Sequence, residues 1–308
     1  MRRLWIVTAL LLVATRASAD FHEFEKVPVD AVLGAKLQQI ALDTLAEFKS
    51  DQFTTNDIAL SVVDLTDAAA PRRGSYNGSV PFYPASVVKM FFMTEAMHQI
   101  HEGKLELTTE LQRALQEMIH VSDNDATAFV LDVISDTSTG PQLSGPALQK
   151  FLYQRGVVNR YFAAMGYDIS AMAKPWSFGP FGRDTQVVGA NRERRNRATT
   201  NAVASLMLWI ARRRAVSPAA SDAMMNLLSR PLDPPRKEEN QVKQFLGESL
   251  PPGSKLWSKA GWTSEVRHDA AYVELPTGKK YVIVVFTRGV ADDVTILPAI
   301  GKRLLQDF

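Results

Sequence analysis

Apolar residues recur at three- and four-residue intervals through most of this chain, and gather into denser runs towards both ends. Residues 30–48 place Leu33, Leu37, Ile40, Leu45 and Phe48 on one stripe, with Asp30 positioned to cap the first turn, which predicts an amphipathic helix. Ile58–Leu65 is a continuous β-rich run and predicts a strand. A turn at Pro71-Arg72-Arg73-Gly74 then leads into a second, shorter strand near 75–82. From Ser86 to Ile100 the pattern is apolar nearly all round, as in a helix buried on most sides. Helical spacing continues over Leu107–His120, Asp125–Ile134, Pro146–Met165 and Asn201–Arg213, and again near 218–229. Ala173–Arg197 breaks the pattern. It is rich in Gly, Pro, Arg and Asn without a period, and a loop that long inside a compact domain is usually functional or disordered. After Pro231-Leu232-Asp233-Pro234-Pro235, a short helix (Glu239–Leu246) and Pro251-Pro252-Gly253 precede three strand-like runs, Lys255–Gly261, Val266–Glu274 and Lys280–Thr287. A closing helix spans about Asp292–Gln306.

This order predicts an α/β molecule of two lobes. An antiparallel sheet draws its strands from both ends of the chain and is flanked by the first and last helices, while the middle forms an all-helical lobe. The expected boundaries are 20–83 with 238–308 for the α/β lobe and 84–237 for the helical lobe, including a loop at 173–198. Two consecutive domains would instead leave a two-stranded N-terminal piece too small to stand alone.

The first 19 residues lie outside this scheme. Arg2 and Arg3 precede an apolar run of about 11 residues, Leu4–Ala14, where a membrane span needs roughly 20. Ala17-Ser18-Ala19 then reads as a cleavage site. We read residues 1–19 as a cleavable secretory signal, with the mature chain starting at Asp20 and a bacterial periplasm as its destination. Removing the signal lowers Lys plus Arg from 35 to 32 against 33 acids, so the formal charge moves from +2 to about −1. Nothing in that balance argues for nucleic acid or an anionic membrane surface as partner. The chain has no cysteine, which excludes disulfides, cysteine nucleophiles, Cys-zinc sites and a lipoprotein-type anchor. A soluble monomer without a membrane span is expected.

Candidate chemistry begins at Ser86-Val87-Val88-Lys89. Serine and lysine three apart share a helical face, so an uncharged lysine can take the serine's proton and make it a nucleophile. The pair alone is common, and Ser86 by itself fits a simple helix cap. Ser122-Asp123-Asn124 and Lys259-Ala260-Gly261 follow downstream in that order. The three motifs together resemble the serine acyl-transfer family of class A-like β-lactamases and penicillin-binding proteins. Phe82-Tyr83-Pro84-Ala85 is similar to that family's approach to the nucleophile. Leu250-Pro251-Pro252-Gly253 matches its LP turn, and Arg267-His268-Asp269 its Arg-x-Asp. The resemblance covers essentially the whole mature chain and implies a β-lactamase/transpeptidase-like fold.

By that resemblance, Ser86 is the nucleophile and Lys89 its base, with a pKa lowered by burial among Val, Met and Phe. Ser122 relays a proton to the leaving nitrogen with help from Lys259. Asn124 bonds Lys89 or the substrate's acyl amide. The backbone N–H groups of Ser86 and Trp262, the residue after Gly261, form the oxyanion hole. Lys259 and Arg267 attract a substrate carboxylate. No cofactor or metal is expected: His22, His98, His101, His120 and His268 form no H-E-x-x-H pair, and no G-x-S-x-G elbow is present. The runs Arg192–Arg197 and Arg212–Arg214 read as solvated faces.

Three features depart from the class A pattern. Ala260 stands where the family has Thr or Ser, leaving Thr263 or Ser264 to supply the hydroxyl. Only 36 residues separate Ser86 from Ser122, so the cleft lacks part of one wall. The E-x-x-L-N sequence that carries the deacylating glutamate is absent. Thr199-Thr200 resembles the close of that loop, and it leaves Asp184, fifteen residues earlier, as the better-placed acid and Glu193 as the nearer one. The expected activity is β-lactam hydrolysis through a Ser86 acyl-enzyme. The alternatives are a D-alanyl-D-alanine carboxypeptidase or penicillin-binding protein acting on cell-wall peptides, and a sensor occupied without turnover.

Overall fold

A computed structural model describes residues 23–175, 180–233 and 241–307. The proposed signal at 1–19 therefore lies outside the described residues. Six strands form one antiparallel sheet in the order β2-β1-β6-β5-β4-β3. They are β1 (Ile58–Asp64), β2 (Arg72–Tyr76), β3 (Ser229–Arg230), β4 (Lys255–Trp262), β5 (Val266–Glu274) and β6 (Lys280–Arg288). The N-terminal strand β1 pairs with the C-terminal β6 from Ile58↔Thr287 to Asp64↔Tyr281, which joins the two ends of the chain in one sheet.

The sheet separates two apolar layers, because alternate residues of each strand face opposite sides. On one side, the first long helix, α2 (Ala31–Glu47, after the four-residue α1, Glu23–Lys26), packs with the last helix. Leu33, Leu37 and Ile40 meet Ile296, Ile300 and Leu304 over Leu60, Ile283 and Val285. On the other side lies the helical block: α3 (Lys89–His101), α4 (Thr109–His120), α5 (Asn124–Ser135), α6 (Gly145–Arg155), α7 (Val157–Ala163), α8 (Arg183–Val188), α9 (Thr200–Ala211), α10 (Pro218–Leu228). The terminal helix is α11 (Ile296–Asp307). Helix α3 runs through the centre of this block, with every residue from Lys89 to Met97 buried. This is the α/β architecture with an N- and C-terminal antiparallel sheet read from the sequence.

Several boundaries differ from expectation. Strand β2 begins at Arg72, inside the expected turn, because Arg73 exchanges backbone hydrogen bonds with the segment before α2: its N–H donates to Pro28 and its C=O accepts from Asp30. The single helix expected over 146–165 is split in two by Gly156. Within 173–198 a short helix, α8, forms. The two-residue β3 extends the sheet beyond β4. The helix expected at 239–246 falls partly outside the described residues. Residues 241–245 are not helical, and a 3-10 turn covers Leu246–Ser249.

Candidate active site

Ser86 sits in a 3-10 turn, Ala85–Val88, that runs directly into α3 at Lys89. In a 3-10 turn residues i and i+3 eclipse, so Ser86 and Lys89 share a face. Ser86 is partly exposed while Lys89 is wholly buried. The preceding Ala85 has φ +45 and Ser122 has φ +63. Left-handed backbone is costly for residues with a Cβ and persists where surrounding contacts hold it. Both strained residues stand at the motifs.

Lys89 reaches across to the start of α5. Its Nζ lies 2.5 Å from the Ser122 carbonyl oxygen, 3.1 Å from Ser122 Oγ, 2.9 Å from Asn124 Oδ1 and 3.3 Å from the Asp123 carbonyl oxygen. Of these partners only the Ser122 hydroxyl can also donate, so it alone can serve the lone pair of a neutral amine. Burial pushes the Lys89 amine down to about 7, against a smaller upward pull from Asp123.

Lys259 approaches the same hydroxyl from β4. Its Nζ is 3.0 Å from Ser122 Oγ, 2.8 Å from Gln241 Oε1 and 2.7 Å from the Ala260 carbonyl oxygen. Burial holds it well below the ordinary lysine value, helped by the nearby cations Lys89 and Arg230 and opposed by Asp269. Ser122 Oγ thus lies between two buried amines.

Gly261 brings β4 against Ser86. A Cβ there would stand 2.8 Å from the Ser86 nitrogen, 2.9 Å from the Val87 nitrogen and 2.9 Å from the Pro84 oxygen, so only glycine permits this approach. The next residue, Trp262, ends β4; it is 45% exposed and its ring tilts against Phe245.

The sequence pattern of the β-lactamase enzyme family matches residues 41–114 and 106–308. The chain belongs to the β-lactamase enzyme family. No curated protein sequence matches it. Its fold is similar to that of PBP-A, at 18% identity and TM-score 0.63, covering 90% of this chain and 96% of that one. A β-lactamase from Sphaerobacter thermophilus DSM 20745 is similar at 20% identity and TM-score 0.63, covering 87% and 97%. A β-lactamase from Chitinophaga pinensis DSM 2588 is similar at 19% identity and TM-score 0.63, covering 88% and 98%. The fold is that of the class A β-lactamases.

The remaining family positions are placed less uniformly. Arg267 is cross-strand from Trp262 and largely buried. Its Nε donates to the Ala291 carbonyl at 3.0 Å, its guanidinium lies over the Phe245 ring, and burial lowers its pKa against the pull of Asp292 and Asp293. Ala260 is buried in the layer of terminal helices, cross-strand from Asp269. The Thr263 hydroxyl oxygen accepts from the N–H groups of Glu265 and Val266 and shapes the β4–β5 turn. The two candidate loop acids are not brought to this centre. Asp184 is 3% exposed: its carboxylate accepts from Thr139 Oγ1 at 3.0 Å and Arg155 Nη2 at 3.2 Å, and stands 4.0 Å from Lys174 Nζ. Asp132 completes this ion cluster, 2.9 Å from Arg155 and 2.7 Å from Lys174. The loop 173–198 carries Asp184 as a counter-ion because two buried cations claim it. Glu193 is exposed and folds back on its own loop, accepting from Asn191 N–H and pairing with Arg194 at 2.9 Å.

Four supporting residues had no role assigned from the sequence. Arg230 donates to the carbonyls of Ile119, His120 and Ser258, and Gln241 donates to the same two helix-end carbonyls while accepting from Ala260 N–H. Together they tie β4 to the end of α4, just before Ser122. His268 Nε2–H donates to the Tyr83 carbonyl at 2.9 Å, and its Nδ1 accepts from Thr287 N–H at 3.1 Å. Burial pushes its pKa down to about 4, so the ring is neutral and anchors the lead-in to Ser86. Asp269 is wholly buried. One carboxylate oxygen accepts from Leu246 N–H and the other has no hydrogen-bond partner, and burial pushes its pKa up to about 7. Only His268 and Asp269 had a sequence signal, through the Arg-x-Asp match. The others act from a two-residue strand and an aperiodic segment that carry no motif.

Among the described residues, no cluster of His, Cys, Asp or Glu is arranged to hold a metal ion, and no helix is long and apolar enough to cross a membrane.

Proposed function

We propose that the protein is a serine hydrolase that opens the amide of a β-lactam through an acyl-enzyme on Ser86. The observation that carries this reading is the Ser122 hydroxyl held between Lys89 and Lys259, two buried amines whose pKa values burial lowers. Neutral Lys89 accepts the Ser86 proton as Oγ forms a bond to the carbonyl carbon. The carbonyl oxygen takes up the negative charge between the backbone N–H groups of Ser86 and Trp262. Collapse of that intermediate breaks the C–N bond, and the proton passes from Lys89 through Ser122 to the leaving nitrogen. Lys259 favours this transfer and, with Arg267, a carboxylate on the leaving side. Water then cleaves the ester, giving the acid and free Ser86. PBP-A has itself been solved, as a variant, in an acyl-enzyme complex with penicillin G.

A second reading is favoured by the ion pairs that occupy Asp184 and by the outward position of Glu193. With neither acid poised over Ser86 to activate water, acylation outpaces release. The protein then behaves as a D-alanyl-D-alanine peptidase or penicillin-binding protein, or as a sensor. Mass spectrometry of the mature protein during incubation with benzylpenicillin separates these. A transient adduct with product release supports the β-lactamase. A persistent adduct supports the second reading, and release of D-alanine from a cell-wall peptide then marks a peptidase and not a sensor. No adduct with β-lactam or peptide overturns the acyl-enzyme. We also propose export to the periplasm. N-terminal sequencing of protein from that compartment should begin at Asp20, and an intact Met1 would refute it.

A further inference from the structure

A cavity of about 460 Å³ lies between the 189–196 stretch of the loop and the turn Thr263–Glu265. Tyr83, three residues before Ser86, lines it together with Arg192 and Arg195, while Ser122 and the two active-site lysines lie outside its lining. A scissile amide has two sides. Ser122 protonates the leaving nitrogen in the proposed mechanism, so the leaving portion lies towards Ser122 and Lys259. The cavity is bounded instead by Tyr83 and the residues that follow Trp262, none of which stands on the leaving-group side of that mechanism.

Its wall is basic. Arg195 lays its guanidinium over the Tyr83 ring, 3.7 Å from the centroid, which fixes the cation at the cavity surface. Arg192 is exposed, and no carboxylate among the described residues pairs with it. Glu265 is the acid on this wall. It is 65% exposed in its side chain and reaches Arg195 only at 3.5 Å. Lys174 also borders the space but is held by Asp132 at 2.7 Å. The hydroxyl of Ser264 adds a hydrogen-bonding group. The arginine run is therefore not uniformly a solvated face: Arg194 and Arg197 are tied to Glu193 and Asp168, and Arg192 and Arg195 line the cavity.

We infer that this cavity is an anion-accepting subsite that takes a carboxylate on the acyl portion of the substrate, through Arg192 and Arg195. The inference rests on the reading of Ser86 as the acylated residue. A guanidinium–carboxylate bond is among the stronger hydrogen bonds a site can offer. Substrates with a carboxylate on the acyl side chain are accordingly the preferred class.

The test compares acylation of Ser86 by benzylpenicillin and by carbenicillin, which differs in bearing one additional carboxylate on its acyl side chain. The wild-type protein should acylate about tenfold faster with carbenicillin, a charge-assisted hydrogen bond's share of affinity. Arg192→Gln should reduce this ratio, and the double variant Arg192→Gln with Arg195→Gln should bring it to one or below. Arg213→Gln, which removes an exposed cation paired with Asp222, should leave the ratio where it was. A wild-type ratio of one or less, a ratio unmoved in the double variant, or an equal fall in the Arg213 control would overturn the subsite. Acylation by neither compound would instead overturn the Ser86 reading, and the subsite with it.

Discussion

Lys89 and Lys259 are fully buried, yet each has its amine at the Ser122 hydroxyl, and among the described residues neither makes an ion pair with a carboxylate; Asp123 and Asp269 exert only a smaller opposing pull. Desolvation is therefore the leading influence on both, and it favours the neutral, basic form. Lys89 should be protonated below about pH 7 and free above it. Acylation of Ser86 should accordingly rise about tenfold per pH unit below that value and level off above it. Stopped-flow measurement with a chromogenic β-lactam between pH 5 and 9 checks this, and a flat profile would mean another base. Lys89→Met should slow acylation by on the order of 10² to 10⁴-fold. The sequence disclosed these residues because the chemistry demands particular side chains at fixed spacing. It did not disclose Gln241 or Arg230, whose work is to satisfy helix-end carbonyls, a task that many residues from many places can perform.

Two element contacts set the site: β4 against the 3-10 turn, and β5 against the chain before it. Gly261→Ala would place a methyl carbon within 3 Å of the Ser86 nitrogen and displace the strand that carries Lys259. An acylation loss on the order of 10²-fold or more is expected, with thermal stability changed little by comparison. Kinetics and melting of the variant decide this. His268 couples β5 to Tyr83, and its lowered pKa has a sign. Its unfolded value near 6.5 lies above the folded value of about 4, so the unfolded chain binds the extra proton first. Stability is intact above pH 6.5 and falls as the pH drops towards 4, by about 3 kcal/mol from this group. Comparing urea unfolding of the wild type and His268→Gln across that range isolates this share, because Asp269, with its pKa raised to about 7, stabilises the fold more as the pH falls and so runs in the opposite sense. The long amphipathic and apolar elements were legible because their periods persist over many residues. The bounds of strand β2 and the break at Gly156 were not, since partners distant in sequence fix one, and a single glycine within a continuing apolar pattern marks the other.

Across the whole molecule, the sheet ties the chain's ends together and presents β4 to a helical block whose loop is pinned from beneath. Backbone pairing of Phe82 with Ala198 and of Ser170 with Arg197 closes the neck of that loop, and the buried cluster of Arg155, Lys174, Asp132 and Asp184 holds its interior. Asp184→Ala leaves the buried Arg155 and Lys174 to share Asp132 as their remaining carboxylate partner, so it should destabilise the protein, by at most about 3–5 kcal/mol. In this account the substitution acts on stability, and the acyl-enzyme lifetime at a temperature where the variant is folded should stay close to wild type. A lifetime lengthened many-fold without loss of stability would return Asp184 to the role of base. The loop acid was the part of the site least legible in sequence, because a carboxylate's role depends on which cations surround it, and Arg155 and Lys174 lie far from any motif. The central claim is that Ser86 is the residue acylated. Peptide mapping by mass spectrometry after brief exposure to benzylpenicillin tests it most directly: the acyl group should be found on Ser86 alone and vanish in Ser86→Ala. An adduct elsewhere, or one that survives the substitution, would contradict the account.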